Sequence, residues 1–513
     1  MNSSSRLSNS IKNISFGLFA QTTQMVLGFV TRTIFIQFLA VEYLGVNGLF
    51  SNILTLLSLT ELGITTAIVY SLYKPLAEKD ERKLAGLVNF FSKVYTKIAL
   101  IVAALGLLVV PFLNQIVENP PQKIKEDLIL IYLIFLFNTV STYFMQYKQS
   151  LFHADQKSHI ISKYNIFVFL FQNLFQIIVL VLFKNFILYL LIQSFFQIVS
   201  NFIISRKVAQ HYPFLKKYNT EKVDEETKNK IFSNVKSTGL IKVGGLLVNS
   251  TDNLILNYFS GLILVGFLSN YVLLIGLASG LIVQVFSSLQ GIIGNINVTE
   301  SKEKQISTFN FINFANFWIY GMATIGIAFL MNDFIKIWIG VKFLLPIEIV
   351  IALAINFYMF GMQSAVWSFK SSYGFFKQGQ YLVILTAILN LILSFILGYY
   401  FGLLGILIAT AIARLVTNCW YDPYIVFKLG FNLSPMIYFK KYLKYLFLVI
   451  ISIAVLFGIN HFISFDGIFG LVFKLVLVLV IPNILIFFAF KNATELLSCY
   501  QIIKSVFQKI LKR

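Results

Sequence analysis

Apolar stretches long enough to cross a membrane recur along the whole chain, and short polar segments separate them. An α-helix needs about 20 residues to span the hydrocarbon core of a bilayer. Breaks at charge clusters, prolines and Asn or Gly residues divide the stretches into fourteen predicted transmembrane helices. These helices are placed at 13–39, 46–72, 90–112, 128–149, 164–183, 186–205, 238–259, 265–293, 309–330, 347–369, 381–400, 403–421, 443–462 and 469–490. The pattern predicts an all-α polytopic membrane protein.

A long polar segment and a short repeated motif divide the predicted helices into two halves. The polar segment, 206–237, follows the sixth helix and leaves eight helices after it. The motif GLFSN at 48–52 opens the second helix, and GFLSN at 266–270 opens the eighth, 218 residues further along the chain. Many transporters consist of two such repeats with a substrate site between them. The pattern therefore favours a transporter.

Composition and charge agree with this class. Hydrophobic residues make up 58% of the chain and charged residues 12%, against about 25% charged in globular proteins, which excludes a soluble protein. The net charge of +20 comes from basic residues that concentrate in alternate loops, the pattern that fixes membrane orientation. We therefore expect both termini in the cytoplasm and no nucleic-acid partner. The opposite side then holds five basic residues: Lys123, Lys125, Lys184, Lys336 and Lys342.

Charged residues inside the predicted spans are functional candidates, because a charge at the bilayer centre costs roughly 3 kcal/mol or more. Lys242 and Lys474 lie about one turn from a helix end, where a long side chain can reach the interface without any further role. The deeper charges either form ion pairs that hold helices together or face a polar cavity. They are Arg32, Glu61, Asp252 and Arg414.

Uncharged polar residues accompany these charges at helical spacing. Gln24 shares a face with Arg32 on the first helix, Asn249 shares one with Asp252 on the seventh, and Asn313 lies on a polar face of the ninth. Lipid does not tolerate such faces, so they must point at each other or at a water-filled cavity.

The repeat suggests roles for two of these charges. The 218-residue offset maps Arg32 to position 250, next to Asp252. We hypothesise that Arg32 contacts an anionic group of the substrate. Asp252 would either hold Arg32 or bind a coupling cation such as H⁺ or Na⁺, and Glu61 is a second candidate for the cation.

Enzyme signatures are missing from the sequence, which has no Walker A motif, no HExxH and no GxSxG. The two cysteines, Cys419 and Cys499, are too few for a disulfide framework or a metal cluster. We therefore predict a protein that is not an enzyme and that needs no cofactor and no metal.

The first ninety residues resemble a known family. The matching runs are RTIF at 32–35, EYLGVNGLFSNIL at 42–54, ELGI at 61–64 and YSLYKPLAE at 70–78. They are similar to the polysaccharide-transporter family of bacterial oligosaccharide flippases, within the multidrug/oligosaccharidyl-lipid/polysaccharide (MOP) superfamily. Beyond residue 90 the resemblance is one of helix number, length and linker position.

The resemblance implies two six-helix bundles around a central cavity, a MATE-like or MOP-like fold, with two further C-terminal helices. It also implies alternating access and cationic cavity residues that receive an anionic headgroup, which favours Arg32 and then Lys242 and Arg414. The expected domains are a bundle at 1–205, a linker at 206–237, a bundle at 238–421, two helices at 422–490 and an amphipathic cytoplasmic tail at 491–513.

The function that the resemblance implies is transfer of undecaprenyl-pyrophosphate-linked oligosaccharide units from the inner to the outer leaflet of the bacterial cytoplasmic membrane, for O-antigen, capsule or similar polysaccharides. Polysaccharide polymerase machinery would be the partner. Two alternatives stay open. A MATE-like drug/cation antiporter would share the fold but favour acidic cavity residues, and a membrane glycan polymerase or ligase would need a long external loop, which the predicted topology lacks.

Overall fold

The described part of the chain is helical throughout. The computed structural model describes residues 3–58, 64–117, 124–229, 231–232, 235, 251–375, 378–463 and 465–497. Within these ranges there are fifteen main α-helices and no strand. They are α1 (Ser3–Phe38), α2 (Val41–Leu57), α3 (Ile64–Glu78), α4 (Glu81–Val109), α5 (Leu128–Gln146), α6 (Gln149–Ala154), α7 (Ser158–Phe183), α8 (Phe186–His211), α9 (Asp252–Thr299), α10 (Lys302–Trp338), α11 (Ile347–Ser372), α12 (Gln380–Val416), α13 (Asn418–Ile425), α14 (Met436–Phe462) and α15 (Gly467–Phe490).

Length and composition identify membrane-spanning helices among them. Ten helical segments of the described chain are long and apolar enough to cross a bilayer, and α2 is a shorter apolar helix. Two of the ten segments contain a break at a glycine. The chain is therefore a multi-pass membrane protein, as the hydropathy pattern predicts.

Glycines break two of the described helices. Gly261 interrupts α9 with φ 76°, and Gly402 interrupts α12 with φ 56°. Positive φ is inexpensive only for glycine, because other residues would place Cβ against the backbone. Both breaks fall in the predicted gaps, between 259 and 265 and between 400 and 403. After the second break the two arms of α12 pack so closely that a Cβ on Gly405 would lie 2.0 Å from the Leu397 carbonyl oxygen.

Several helices are longer than the hydropathy pattern predicts. α4 begins at Glu81 rather than 90 because Asp80 caps it, accepting a hydrogen bond from the Lys83 amide at 2.9 Å. α10 likewise begins directly after Ser301, which accepts from the Lys304 amide. Within the predicted span 46–72, α2 ends at Leu57, and α3 is described from Ile64. Hydropathy detects the apolar part of a helix, whereas caps and breaks determine its ends.

The chain divides into two compact units, residues 1–269 and 270–513. The first unit has two apolar clusters. One surrounds Phe91, Tyr95 and Phe152 and joins α3, α4 and α6 to the end of α8. The other surrounds Phe50 and Tyr132 and joins α1, α2, α5 and α8 to the turn of α9 at Leu262. The predicted domain boundaries, including the linker at 206–237, stay predictions.

The two copies of the repeated motif meet inside the first unit. A Cβ on Gly45 would lie 2.2 Å from the Leu262 carbonyl oxygen, and a Cβ on Gly266 would lie 2.7 Å from the Val41 carbonyl oxygen. No real side chain fits at such distances, so both positions require glycine for the two backbones to approach. The repeat seen in the sequence thus corresponds to a close crossing of α2 with the second arm of α9.

In the second unit, α14 and α15 pack on α10. The rings of Phe317 and Tyr445 stack face to face at 4.2 Å, within an apolar cluster that α10, α11, α14 and α15 share. Lys474 Nζ of α15 lies 2.8 Å from Asp333 Oδ2 of α10 and above the ring of Phe329. The expectation that Lys474 has no further role is therefore wrong, because a part-buried ion pair joins α15 to α10.

Candidate functional site

Arg32 lies in the last third of α1, among polar groups of the first unit. Its guanidinium donates a hydrogen bond to the Ser269 hydroxyl. Ser269 in turn donates to the Gly266 carbonyl at 2.6 Å. The cation is thereby connected to the same stretch of α9 that crosses α2 at Gly45. A shift of either helix would change the surroundings of the charge.

α7 and α8 complete the surroundings of Arg32. Tyr189 interacts electrostatically with Arg32, and the Gln176 side-chain amide donates to the Tyr189 carbonyl at 3.4 Å. On the adjacent position of α1, Thr31 donates to Asn173 Oδ1 at 2.6 Å, and both of these side chains are buried. Neutral polar groups from two helices thus line the region beside the guanidinium.

A polar cavity of about 390 Å³ lies in the same unit, between α1, α5, α6, α7 and α8. Amides dominate its wall, and the wall as described contains no charged side chain. The amide residues are Gln24, Gln146, Gln149, Gln172, Gln197, Asn165 and Asn201, joined by the hydroxyls of Thr142 and Ser200. Gln24 is the predicted site residue among them, so the predicted polar face of the first helix borders this cavity.

Hydrogen bonds fix several of the cavity amides. Gln149 Nε2 donates to Asn201 Oδ1 at 3.2 Å, and the Ser200 hydroxyl donates to Asn165 Oδ1 at 2.7 Å. The Asn201 side chain is 5% exposed, and its Nδ2 has no hydrogen-bond partner within the described chain. Hydrogen bonds between side chains of α6, α7 and α8 therefore hold the cavity wall in place.

A polar chain leads from the cavity toward Arg32. Gln172 lines the cavity and donates weakly to Gln176 Oε1 at 3.5 Å, and Gln176 donates to the backbone carbonyl of Tyr189, a residue that lies near Arg32. Gln24 and Arg32 lie eight residues apart on α1, about 12 Å along the helix axis. A cationic region and an uncharged amide cavity are therefore neighbours in one unit.

The other predicted site residues of this unit are only partly covered by the structure. Asp252 begins the described part of α9 and is partly buried. Glu61, Lys242 and Asn249 lie outside the described residues. Asn257, on the same arm of α9 as Asp252, donates to the Ile116 carbonyl at 2.6 Å. This hydrogen bond joins α9 to the short helical turn that follows α4.

Arg414 belongs to a separate cluster in the second unit. Its guanidinium lies over the ring of Phe360, 5.6 Å from the ring centre. That ring packs on Trp367, whose indole donates to Asp422 at 3.0 Å. Asp422 also pairs with Lys370 at 2.6 Å. Arg414 therefore lies near a structural network of α11, α12 and α13.

Asn313 lies in the apolar interior of the second unit. It is 1% exposed, and neither polar atom of its side chain has a hydrogen-bond partner in the described structure. One turn before it, Phe309 contacts Tyr438, and one turn after it, Phe317 stacks on Tyr445. This face of α10 therefore packs on α14.

Most residues of the cavity were not predicted. The predicted polar faces lie on the first, seventh and ninth spans, whereas all the cavity amides except Gln24 lie on or next to the fourth to sixth. The signal was present as a helical spacing of amides: Gln193, Gln197 and Asn201 on α8, and Gln172 and Gln176 on α7. No group of metal-binding side chains is found where the structure describes the chain.

Solved structures share this fold at low sequence identity. The lipid II flippase MurJ matches with a TM-score of 0.65 and 15% identity, covering 93% of this chain and 99% of that one. A multidrug resistance MATE family transporter of the MOP superfamily matches with a TM-score of 0.61 and 12% identity, covering 80% and 98%. A MOP superfamily transporter from Pyrococcus furiosus, described as having a binding pocket of reverse polarity, matches with a TM-score of 0.55 and 10% identity, covering 83% of this chain and 96% of that one.

These likenesses confirm the predicted fold class, an all-α, polytopic membrane fold like that of MurJ and the MATE transporters. No family model matches the chain, and no curated protein matches it. The resemblance of the first ninety residues to the polysaccharide-transporter family accordingly stays a prediction.

Proposed function

We propose that this protein is a flippase that moves undecaprenyl-pyrophosphate-linked oligosaccharide units from the inner to the outer leaflet of a bacterial cytoplasmic membrane by alternating access. Both termini would then lie in the cytoplasm. The likeness to the lipid II flippase MurJ supports a lipid-linked substrate. The finer assignment to O-antigen, capsule or a similar polysaccharide rests on the resemblance of residues 1–90. The proposed association with polymerase machinery rests on the same resemblance.

The observation that carries the proposal is the pairing of a cation with an uncharged amide cavity. Arg32 lies among hydroxyl and amide groups, and the cavity that includes Gln24 offers many donors and acceptors. A diphosphate-linked sugar has the complementary parts: an anion, which a guanidinium binds well, and hydroxyl groups, which amides bind well. Its polar headgroup cannot cross about 30 Å of hydrocarbon unaided, whereas its isoprenoid tail can stay in lipid.

The membrane potential can help to drive this transfer. Moving a negative charge outward across an inside-negative membrane is favourable by about 2.3 kcal/mol per 100 mV. A diphosphate therefore gains roughly twice that amount. H⁺ or Na⁺ bound at Asp252 or Glu61 would add a second driving force. Lys242 and Arg414 are the further cations that we propose for the headgroup.

A MATE-like cation antiporter is the alternative that the fold equally allows, since a MATE transporter also matches. Cation binding favours carboxylates, which accept charge-assisted hydrogen bonds and attract the ligand's charge. The described cavity wall has none. Its amides suit a hydroxylated ligand better, and this favours the flippase. A glycan polymerase or ligase is disfavoured by the short loops predicted on the outer side.

The function can be tested in a deletion strain of the source organism. Spheroplasts are probed with an external lectin or glycosidase that recognises the lipid-linked unit. We expect units that accumulate in a shielded location until lysis, and that become accessible again when the wild-type gene is restored. Arg32→Ala should fail to restore access, whereas Arg82→Ala, at an exposed arginine outside the spans, should restore it. Units already accessible in the deletion strain would contradict the proposal.

A further inference from the structure

The amide cavity has the size and chemistry of a binding site rather than of a packing defect. Its volume of about 390 Å³ falls within the range of about 300–1,000 Å³ usual for small-molecule sites. Packing defects in membrane proteins are apolar and small, whereas this wall is built of side chains that both donate and accept hydrogen bonds. Such a wall favours a ligand with the same dual capacity.

Two residues of the wall define the specificity most closely. Ser200 uses its proton on Asn165 Oδ1, so toward the cavity its oxygen can only accept. Gln149 gives one hydrogen of its side-chain amide to Asn201 Oδ1, so its second amide hydrogen can be donated to a ligand. A hydroxyl group satisfies both, because it donates to Ser200 and accepts from Gln149.

The lack of charged side chains on the described wall narrows the class of ligand further. An anionic or cationic ligand would be buried without an opposite charge, and this is costly in a region of low dielectric. An apolar ligand would leave the amides without hydrogen-bond partners, and this is unfavourable for each buried group. An uncharged, hydroxyl-rich molecule meets neither cost.

We infer that this cavity is a subsite for a neutral sugar of the lipid-linked substrate, separate from the cationic region at Arg32. The inference rests on the proposed function and adds a division of labour to it. The diphosphate lies at Arg32, and an uncharged sugar lies in the cavity, which begins about 12 Å away along α1. The polar chain through Gln172 and Gln176 connects the two.

The test uses the purified full chain and two probes, chitobiose for the cavity and undecaprenyl diphosphate for the cationic region. The variants are Ser200→Ala and Gln172→Leu, with Gln210→Leu on the exposed end of α8 as the control. We expect chitobiose to bind wild type and Arg32→Ala alike. Ser200→Ala and Gln172→Leu should weaken chitobiose binding a few-fold, the scale of one lost hydrogen bond, and should slow transport of the lipid-linked unit. Binding of undecaprenyl diphosphate should be unchanged.

Two results would overturn the inference while leaving the flippase intact. One is that wild type and the cavity variants all transport equally well. The other is that chitobiose binding does not depend on Ser200 or Gln172, although undecaprenyl diphosphate still binds and transport proceeds. Failure of the proposed function looks different, because neither undecaprenyl diphosphate nor the lipid-linked unit would then be bound or moved by wild type. Equal melting temperatures of the variants show that a loss of binding is not a loss of folding.

Discussion

The Arg32 guanidinium donates a hydrogen bond to the hydroxyl of Ser269, in the second copy of the repeated motif. The contact joins α1 to the second arm of α9 inside the first unit. It also means that Arg32 has a structural contact besides the substrate role proposed for it. A structural role and a substrate-binding role for Arg32 predict different effects of mutating Arg32 and Ser269.

Removing the charge and removing its acceptor should differ in effect. Ser269→Ala deletes the hydroxyl and leaves the guanidinium, so we expect transport to fall no more than a few-fold, the scale of one hydrogen bond. Arg32→Gln deletes the charge that would bind a diphosphate, so transport should be lost. Initial rates in proteoliposomes measure both. Equal losses in the two variants would indicate that Arg32 serves only to hold the helices.

The close crossing of α2 and α9 predicts an unusual sensitivity at one glycine. A methyl group on Gly45 would lie 2.2 Å from the Leu262 carbonyl oxygen, so Gly45→Ala should force the helices apart and lower the melting temperature by several degrees or more, as overpacking does. Gly48→Ala is the matched control, because its methyl would meet the Val265 side chain at an ordinary 3.5 Å. Equal melting temperatures of the two variants would contradict the crossing.

The Lys474–Asp333 pair should stabilise the packing of α15 on α10. Lys474→Met leaves Asp333 without its partner at 2.8 Å, and we expect a loss of roughly 2–3 kcal/mol, less than for a fully buried pair, since Asp333 is 35% exposed. Replacing both, with Asp333→Leu, should recover most of the loss because no buried charge remains. Thermal unfolding in detergent measures this. A double variant no more stable than Lys474→Met would exclude the pair as the cause.

Stability should depend on pH near the end of the described chain. Burial raises the pKa of the Glu495 carboxyl, but the hydrogen bond from Lys441 at 2.9 Å, the Lys441 charge and the hydrogen bonds from the backbone and Thr494 together outweigh it, so the pKa lies below its ordinary value of 4.5. A carboxyl with a lowered pKa contributes stability above the unfolded value and loses that contribution as the pH falls through the folded value. The contribution is therefore complete at pH 7 and declines below about pH 4.5.

Glu495→Gln measures that contribution. We expect this variant to melt below wild type at pH 7 and to approach wild type below pH 4. Glu225→Gln, at an exposed glutamate, is the control and should follow wild type at every pH. A constant difference between Glu495→Gln and wild type across this range would show that the Lys441–Glu495 contact does not depend on the charge of the carboxyl.

The fold class could be predicted from the sequence because each membrane span requires about 20 consecutive apolar residues, which are easily recognised. Even the breaks at Gly261 and Gly402 fall in predicted gaps, since glycine at a polar interruption is a local signal. Helix ends were less predictable. Asp80 and Ser301 extend α4 and α10 beyond their apolar parts, because a cap depends on one hydrogen bond and not on hydropathy.

Of the candidate site, mainly the charged residue could be predicted from the sequence. Arg32 attracts notice because a charge in a membrane is rare, whereas Gln172, Ser200 and Asn201 resemble many other polar residues until the fold brings them to one cavity. Lys474 was misjudged because its partner, Asp333, lies 141 residues away. Pairings across such distances are set by helix packing, which a single sequence does not reveal.

The central claim is that Arg32 receives an anionic, lipid-linked sugar for transfer between leaflets. The most direct measurement uses liposomes that contain the purified protein and an undecaprenyl-diphosphate-linked oligosaccharide with a fluorescent sugar, quenched from outside by dithionite. The account predicts that units from the inner leaflet become accessible with wild type and Arg82→Ala but not with Arg32→Gln. Accessibility no faster than in protein-free liposomes, or equal rates with Arg32→Gln and wild type, would contradict it.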